Sequence, residues 1–158
     1  MKIADKNITL LLGVFKDDFL DELKRKKLKR VYVCEGRPGL ESAKENAKQL
    51  IKRKIEPVII SDNMAGFLFY NSLVKEVWLA AQKTDAQGAV CPIGGLILAV
   101  LGKNHRVPVR VSNAKKETEL FASTKEICKF NGIKTAPSGT NAFVPLVEWV
   151  PNKYLKRN

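Results

Sequence analysis

Short apolar runs alternate with amphipathic stretches along most of this chain. Ile8 to Val14 (ITLLLGV) is a continuous apolar run followed by turn-formers, which predicts a buried strand. Asp17 and Asp18 are placed to cap a following helix, in which Phe19, Leu20, Leu23 and Leu28 recur at helical spacing. Arg30 to Cys34 (RVYVC) is short and β-branched, a second buried strand, and Glu35 to Gly39 breaks the pattern as a loop. The next stretch predicts the clearest helix, with Leu40, Ala43, Ala47, Leu50 and Ile51 on one face and Glu41–Lys44 and Glu45–Lys48 as i,i+3 pairs. Pro57 marks its exit. Val58 to Ser61 follows as a third strand, and Asp62 is an N-cap candidate for a short helix from Met64 to Asn71. Val77 to Ala81 predicts a fourth strand, Gln82 to Gly88 a polar loop, and Ile93 to Leu101 a buried helix. Val107 to Val111 predicts a fifth strand and Lys116 to Lys129 a helix, and the tail from Asn131 is rich in Pro, Gly and Thr.

Strands alternating with helices argue for an α/β fold, a Rossmann-like parallel sheet flanked by helices on both faces. Ligands of such sheets sit beyond the carboxyl ends of the strands. The 158 residues suit one domain, expected to span 1–158, and no linker or repeat divides them. No apolar run approaches the roughly 18 residues of a membrane span, so no membrane association is expected. No signal-peptide pattern opens the chain. Three cysteines without a CxxC pair, and a single histidine, disfavour disulfide frameworks and zinc sites. A cytoplasmic location and no metal or cofactor are therefore expected.

Charge is the departure from the ordinary. Twenty-eight Lys and Arg against sixteen Asp and Glu give +12. Such a balance suits a polyanionic partner or a heavily solvated Lys-rich surface. Lys24 to Arg30 places six cations in seven residues, and Lys48, Lys52, Arg53 and Lys54 add to them. Both clusters fall at helix ends, where cations complement the dipole, on the side opposite the expected cleft. No RNA-binding signature with interleaved aromatics accompanies them, so RNA is only a weakly supported partner.

The loops after the strands hold the candidate chemistry. Glu35-Gly36-Arg37-Pro38-Gly39 offers an always-charged guanidinium beside a helix start, where backbone N–H groups favour anions. The alternative is a plain strand-to-helix turn. Asp62 is a polar contact or acid/base candidate against its simpler role as a cap. Gln82 follows a buried strand, and its amide cannot act as a general base. Cys91 lies near a helix start and is a candidate low-pKa nucleophile, or an ordinary buried thiol, since no motif supplies a base. Gly94 and Gly95 open that helix. His105 reads as solvated.

The order of these loops resembles one family. It comprises the alpha, beta and delta subunits of translation initiation factor 2B, methylthioribose-1-phosphate isomerase and ribose-1,5-bisphosphate isomerase. VYVCEGRPGLESAKENAKQLIKRKIEPVIISDNMAG is similar to the family run of strand, Glu-Thr-Arg-Pro, helix, and a strand ending Thr-Asp-Ser-Met-Ala. VWLAAQKTDAQGAV is similar to the Val-Gly-Ala-Asp segment, Ile93-Gly94-Gly95 to the Ile-Gly of the Lys-Ile-Gly-Thr helix, and TAPSG near Thr135 to an Ala-Pro-x-Gly turn. The resemblance spans residues 8–150. It implies a ribose-phosphate isomerase and CoA-transferase type of fold, without the N-terminal helical domain of full-length members.

The departures bear on function. The isomerases use a Cys after the first strand and an Asp after the fourth. Here the first strand ends Leu11-Leu12-Gly13-Val14-Phe15, Gln82 stands at the Asp position, Gly36 replaces the Thr, and Cys91-Pro92 replaces the family's Asn-Lys. General acid–base steps contribute typically about 10²–10⁴-fold, so losing both groups removes most of that chemistry. The resemblance thus implies a non-catalytic binding or assembly domain. Its pocket for a phosphorylated small molecule would be lined by Glu35, Gly36, Arg37, Asp62, Gln82, Cys91, Gly94 and Gly95. Pairing with a second copy or a related subunit is expected, with Trp78, Trp149 and the FVPLVEWVP tail as candidate surface. The alternatives are a sugar-phosphate isomerase using Asp62 or Asp85, and a basic RNA-associated translation factor.

Overall fold

The structure, a computed structural model, describes residues 6–156. Strands β1 (Ile8–Leu12), β2 (Arg30–Cys34), β3 (Glu56–Ile60), β4 (Val74–Ala81) and β7 (Val109–Asn113) form one parallel sheet in the order β3-β2-β1-β4-β7. Helices α1 (Asp17–Arg25), α2 (Glu41–Lys52), α3 (Ala65–Tyr70) and α4 (Gly95–His105) return the chain between them. This is an α/β Rossmann-like arrangement. Successive residues of β1 serve opposite faces, as a pleated strand requires. Leu11 packs with Phe19, Leu20 and Leu23 of α1 and Leu50 of α2, whereas Leu10 and Leu12 pack with Leu68 and Phe69 of α3 and Leu98 of α4.

A second sheet departs from the expected layout. The segment after β4 is not a plain loop: β5 (Lys83–Thr84) turns into β6 (Gly88–Pro92), and β10 (Val147–Pro151) pairs antiparallel with β6. Asp85 closes the β5–β6 turn by accepting from the N–H groups of Gln87 (2.6 Å) and Gly88 (3.1 Å). The apolar tail therefore builds a second sheet, and Trp149 remains 42% exposed.

Two helical expectations are corrected. Lys116 to Lys129 is helical only in α5 (Thr124–Cys128), which leads into a small hairpin of β8 (Lys129–Phe130) and β9 (Ile133–Lys134). Few apolar residues in that stretch find a core, and Leu120, Phe121 and Ile127 are exposed. In α2 the buried residues are Ser42, Asn46 and Leu50, whereas Ile51 is 63% exposed. The helix is rotated because Ser42 and Asn46 satisfy buried backbone. Gly13 N–H donates to Ser42 Oγ (3.1 Å), Asn46 Nδ2 donates to Gly13 O (2.7 Å), and Phe15 N–H donates to Asn46 Oδ1 (3.4 Å). The turn needs these partners, since Gly13 sits at φ 93° and a Cβ there would meet Pro92 and Ala80 side-chain carbons at 2.6 and 2.8 Å.

Removing a partner of a buried backbone group costs about 1–3 kcal/mol. Asn46→Ala is expected to lower unfolding free energy by about 2 kcal/mol in urea titration. Ile51→Ala, on the face the hydrophobic pattern points inward, is expected to change it by less than about 0.5 kcal/mol.

Candidate functional site

A cleft of about 360 Å³ opens beyond the carboxyl ends of β1, β2 and β4. Its floor is Gly13, Val14, Ala80 and Gln82, and one wall is the loop Gly36 to Gly39 with the first turn of α2, Glu41 and Ser42. Pro92, Ile93 and Leu146 close the side toward the second sheet. The segment after β7 supplies the opposite wall through Lys116, Glu117, Thr118, Glu119 and Glu126. That segment is tied across α2 by two ion pairs, Lys116 to Glu41 (2.9 Å) and Lys115 to Glu45 (3.5 Å). Both pairs are well exposed, so each contributes little energy and mainly sets position.

Of the residues singled out from sequence, Gly36, Arg37 and Gln82 line this cleft; Glu35, Asp62, Cys91, Gly94 and Gly95 do not. Arg37 stacks its guanidinium over the Phe130 ring at 4.2 Å, so the β8–β9 hairpin steadies the cation at the wall. Helix α2 starts in the same wall with no side-chain cap. Its first-turn N–H groups and Arg37 make one positive corner.

Asp62 does not cap the short helix that follows it. Its carboxylate accepts from the N–H groups of Gly36 (2.9 Å) and Arg37 (2.8 Å), holding the loop that carries the guanidinium. The short helix after it begins from Ser61 without a side-chain cap. Asp85 is engaged in its own turn and borders a different hollow with Thr84 and Asn152. Neither reaches the cleft as a substitute base. Glu35 accepts at its carbonyl from Ala43 N–H and donates its own N–H to Ile60 O, so its backbone joins β2, β3 and α2.

Cys91 is fully buried in β6. Burial pushes its thiol up to about 12, with a smaller push from the Glu148 charge. Cys34 is likewise buried, and its thiol is raised by burial first, then by Asp62 and Glu35. Of the two readings of Cys91, the structure favours the ordinary buried thiol. The helix start itself is occupied: Glu148 Oε1, from β10, accepts from Leu96 N–H at 3.0 Å. Gly95 is tightly packed, as a Cβ there would lie 3.0 Å from Cys91 Cβ, and Gly94 turns into the helix at φ 91°. Among the described residues no group of three His, Cys, Asp or Glu is placed to hold a metal ion. No helix of the described residues is long and apolar enough to cross a membrane.

Sequence reasoning missed Ser42 and the carboxylates of residues 117–126 as parts of the cleft, and Glu148 as the group that closes the start of α4. Ser42 lies off the apolar stripe of Leu40, Ala43, Ala47, Leu50 and Ile51, so the hydrophobic pattern placed it on the outer face. Glu148 and the 117–126 wall reach their positions across long sequence separations that leave no local signal.

A parallel sheet with helices on both faces and a mixed-charge cleft at the strand carboxyl ends defines a Rossmann-like α/β domain. Comparison narrows the class. The sequence profile of the Initiation factor 2 subunit family matches residues 13–157, and the chain belongs to that family. It is 30% identical to methylthioribose-1-phosphate isomerase from Syntrophobacter fumaroxidans over 80% of this chain and 40% of that protein. It is 31% identical to methylthioribose-1-phosphate isomerase 1 from Pseudothermotoga lettingae, over 76% and 38% respectively. The chain thus spans about two fifths of the curated relatives it matches. Among solved structures, the delta subunit of translation initiation factor eIF-2B from A. fulgidus superposes with TM-score 0.79 at 17% identity, over 98% of this chain and 52% of that one. The 5-methylthioribose 1-phosphate isomerase from Pyrococcus horikoshii gives 0.77 at 20% identity, over 96% and 49%. At those identities the superpositions establish the fold.

The raised thiols set a pH behaviour. Folded Cys91 keeps its proton until about pH 12, whereas an exposed thiol loses it near 9.0. Its contribution to stability is therefore complete below pH 9.0 and is lost as pH rises from there toward 12. At pH 8 a thiol-specific reagent is expected to modify only half-buried Cys128 in the native protein and all three cysteines after denaturation. Fast native modification of Cys91 would contradict its assigned burial.

Proposed function

We propose that this domain binds a phosphorylated small molecule, a sugar phosphate or nucleotide, without converting it, and works as a binding and assembly domain. One observation carries the reading: Arg37 and the start of α2, which has no side-chain cap, share one wall of a cleft whose floor offers no acid or base. Where the resembling isomerases place a Cys and an Asp, this chain presents Gly13, Val14 and Gln82. An amide there can orient a hydroxyl by hydrogen bonding but cannot take its proton. The relatives named for methylthioribose-1-phosphate support the ligand class. Assembly is supported by exposed apolar surface on the segment after β7, where the Phe121 and Phe143 rings meet at 5.4 Å. A second copy or a related subunit would cover them.

A thermal-shift panel of sugar phosphates and nucleotides tests the reading. A ligand at about 100 times its dissociation constant stabilises by about 2.7 kcal/mol, a rise of several degrees. Arg37→Ala is expected to weaken the bound compound by about tenfold or more, the loss of a charge-assisted hydrogen bond. A panel without a shift, or an Arg37→Ala protein that binds as before, refutes the pocket.

A second reading, sugar-phosphate isomerisation, is favoured by a different observation: Glu117, Glu119 and Glu126 bring carboxylates into the same cleft. Incubation with 5-methylthioribose 1-phosphate, followed by detection of the ketose, decides between the two. If turnover is found, replacing the responsible glutamate with Gln is expected to lower it by about 10²-fold or more. Turnover unaffected by all three replacements would remove these carboxylates from the chemistry.

A further inference from the structure

The charge of this molecule is sorted along the strand direction. The five strands of the large sheet are parallel, so all begin on the face opposite the cleft. Helices α1 to α4 run back against them and end on that same face. Lys24, Lys27 and Lys29 lie in the passage from α1 to β2, Lys54 leads into β3, Lys75 opens β4, and Arg106 closes α4. All six are exposed, and none forms an ion pair within the described residues. Among the described residues at this end, Glu22 and Glu56 are neutralised by ion pairs, while Glu76, beside Lys75, has a neutral hydroxyl as its partner. Glu22 pairs with Lys26 at 2.7 Å, Glu56 with Arg30 at 2.7 Å, and Glu76 accepts from the Thr9 hydroxyl at 3.1 Å.

Helix dipoles account for part of this pattern, because a cation in the last turn of a helix is favoured. They account for Lys24. They do not account for Lys29, which precedes a strand, or for Lys75, which lies within one. The excess is a surface with unneutralised charge, suited to a chain of phosphates.

The same face presents an aromatic ring. Tyr70 closes α3 and is 83% exposed, with no ring or cation partner among the described residues. Phe69 packs against His105 of α4 at 5.6 Å between ring centres, which sets the end of α3 beside the end of α4 and Arg106. Exposed cations and an exposed ring at the same end of the sheet are the chemistry that holds single-stranded nucleic acid, where phosphates supply attraction and a base stacks on the ring. Interleaved aromatics are missing from the sequence around Lys24 to Arg30; the ring arrives from α3, distant in the chain.

We propose that the face where the strands begin docks a single-stranded nucleic acid through its phosphate backbone, with Tyr70 as a stacking platform. This surface is separate from the cleft and does not depend on the ligand assigned there.

Fluorescence anisotropy of a labelled oligouridine, over a series of salt concentrations, tests the proposal. Each neutralised phosphate contributes a slope of about 0.7 in log affinity against log salt for a single strand. The variant Lys24→Gln/Lys27→Gln/Lys29→Gln is expected to reduce that slope by about 2. The variant Lys83→Gln/Lys125→Gln/Lys129→Gln makes the same change in net charge away from this face and is expected to leave the slope unchanged. Tyr70→Ala is expected to weaken binding about fivefold or more with the slope preserved. Equal losses in both triple variants would mean that net charge alone attracts the RNA, and would overturn the assignment. Binding indifferent to Tyr70→Ala and matched by inorganic polyphosphate would overturn it too, as would the absence of salt-sensitive binding.

Discussion

The arrangement of the cleft depends on how the buried turn after β1 satisfies its backbone. Gly13 leaves the central strand in a left-handed conformation with its N–H and C=O away from water. Ser42 and Asn46 of α2 take both groups, and Asn46 also accepts from Phe15 N–H. Buried backbone groups without partners are expensive, so α2 must present a polar stripe inward rather than its more apolar neighbours. That choice sets the rotation of α2 and brings Glu41 and Ser42 to the cleft wall. Asp62 completes the frame from the next loop by holding the N–H groups of Gly36 and Arg37.

With that frame in place, the cleft is a site of mixed charge in a strongly basic protein. Arg37 and the start of α2 supply the positive corner, and residues 116–126 supply carboxylates opposite. Lys116 is already spent on Glu41, so the guanidinium is the free cation best placed for an anionic ligand. The second helix start that sequence offered, at Gly94 and Gly95, is closed by Glu148. Acidic side chains gather toward the cleft end and cations toward the opposite end, so the two ends suit different partners. One end is a concave pocket, and the other is an exposed cationic surface.

Much of the sheet was legible in the chain. ITLLLGV, RVYVC and VWLAA are apolar runs too short for helices, and each is a strand of the parallel sheet. The intervening stretches carry helical periodicity, and a parallel crossover leaves few ways to arrange them. Arg37 was legible because a loop after a strand, opening a helix, must lie at the cleft. Other features were not. The β5–β6 turn is polar and Gly-containing, and its pairing with β10 joins Ala89 to Val150 across the chain. The stretch 116–129 has charges at spacings a helix tolerates, but most of it finds no surface to bury against.

The sequence by itself determined the alternation of elements, hence the class of fold, the end of the sheet where the cleft lies, and the family it resembles. These follow from local periodicity and from loop chemistry, which are properties of neighbouring residues. Tertiary structure alone decided which candidate residues meet. It turned Asp62 into a clamp on backbone N–H groups, buried Cys91 beyond reach, closed one helix start with Glu148, and set Phe130 over Arg37. Each outcome joins residues far apart in the chain, and their contact is selected by packing and by satisfying buried polar groups, which no local pattern records.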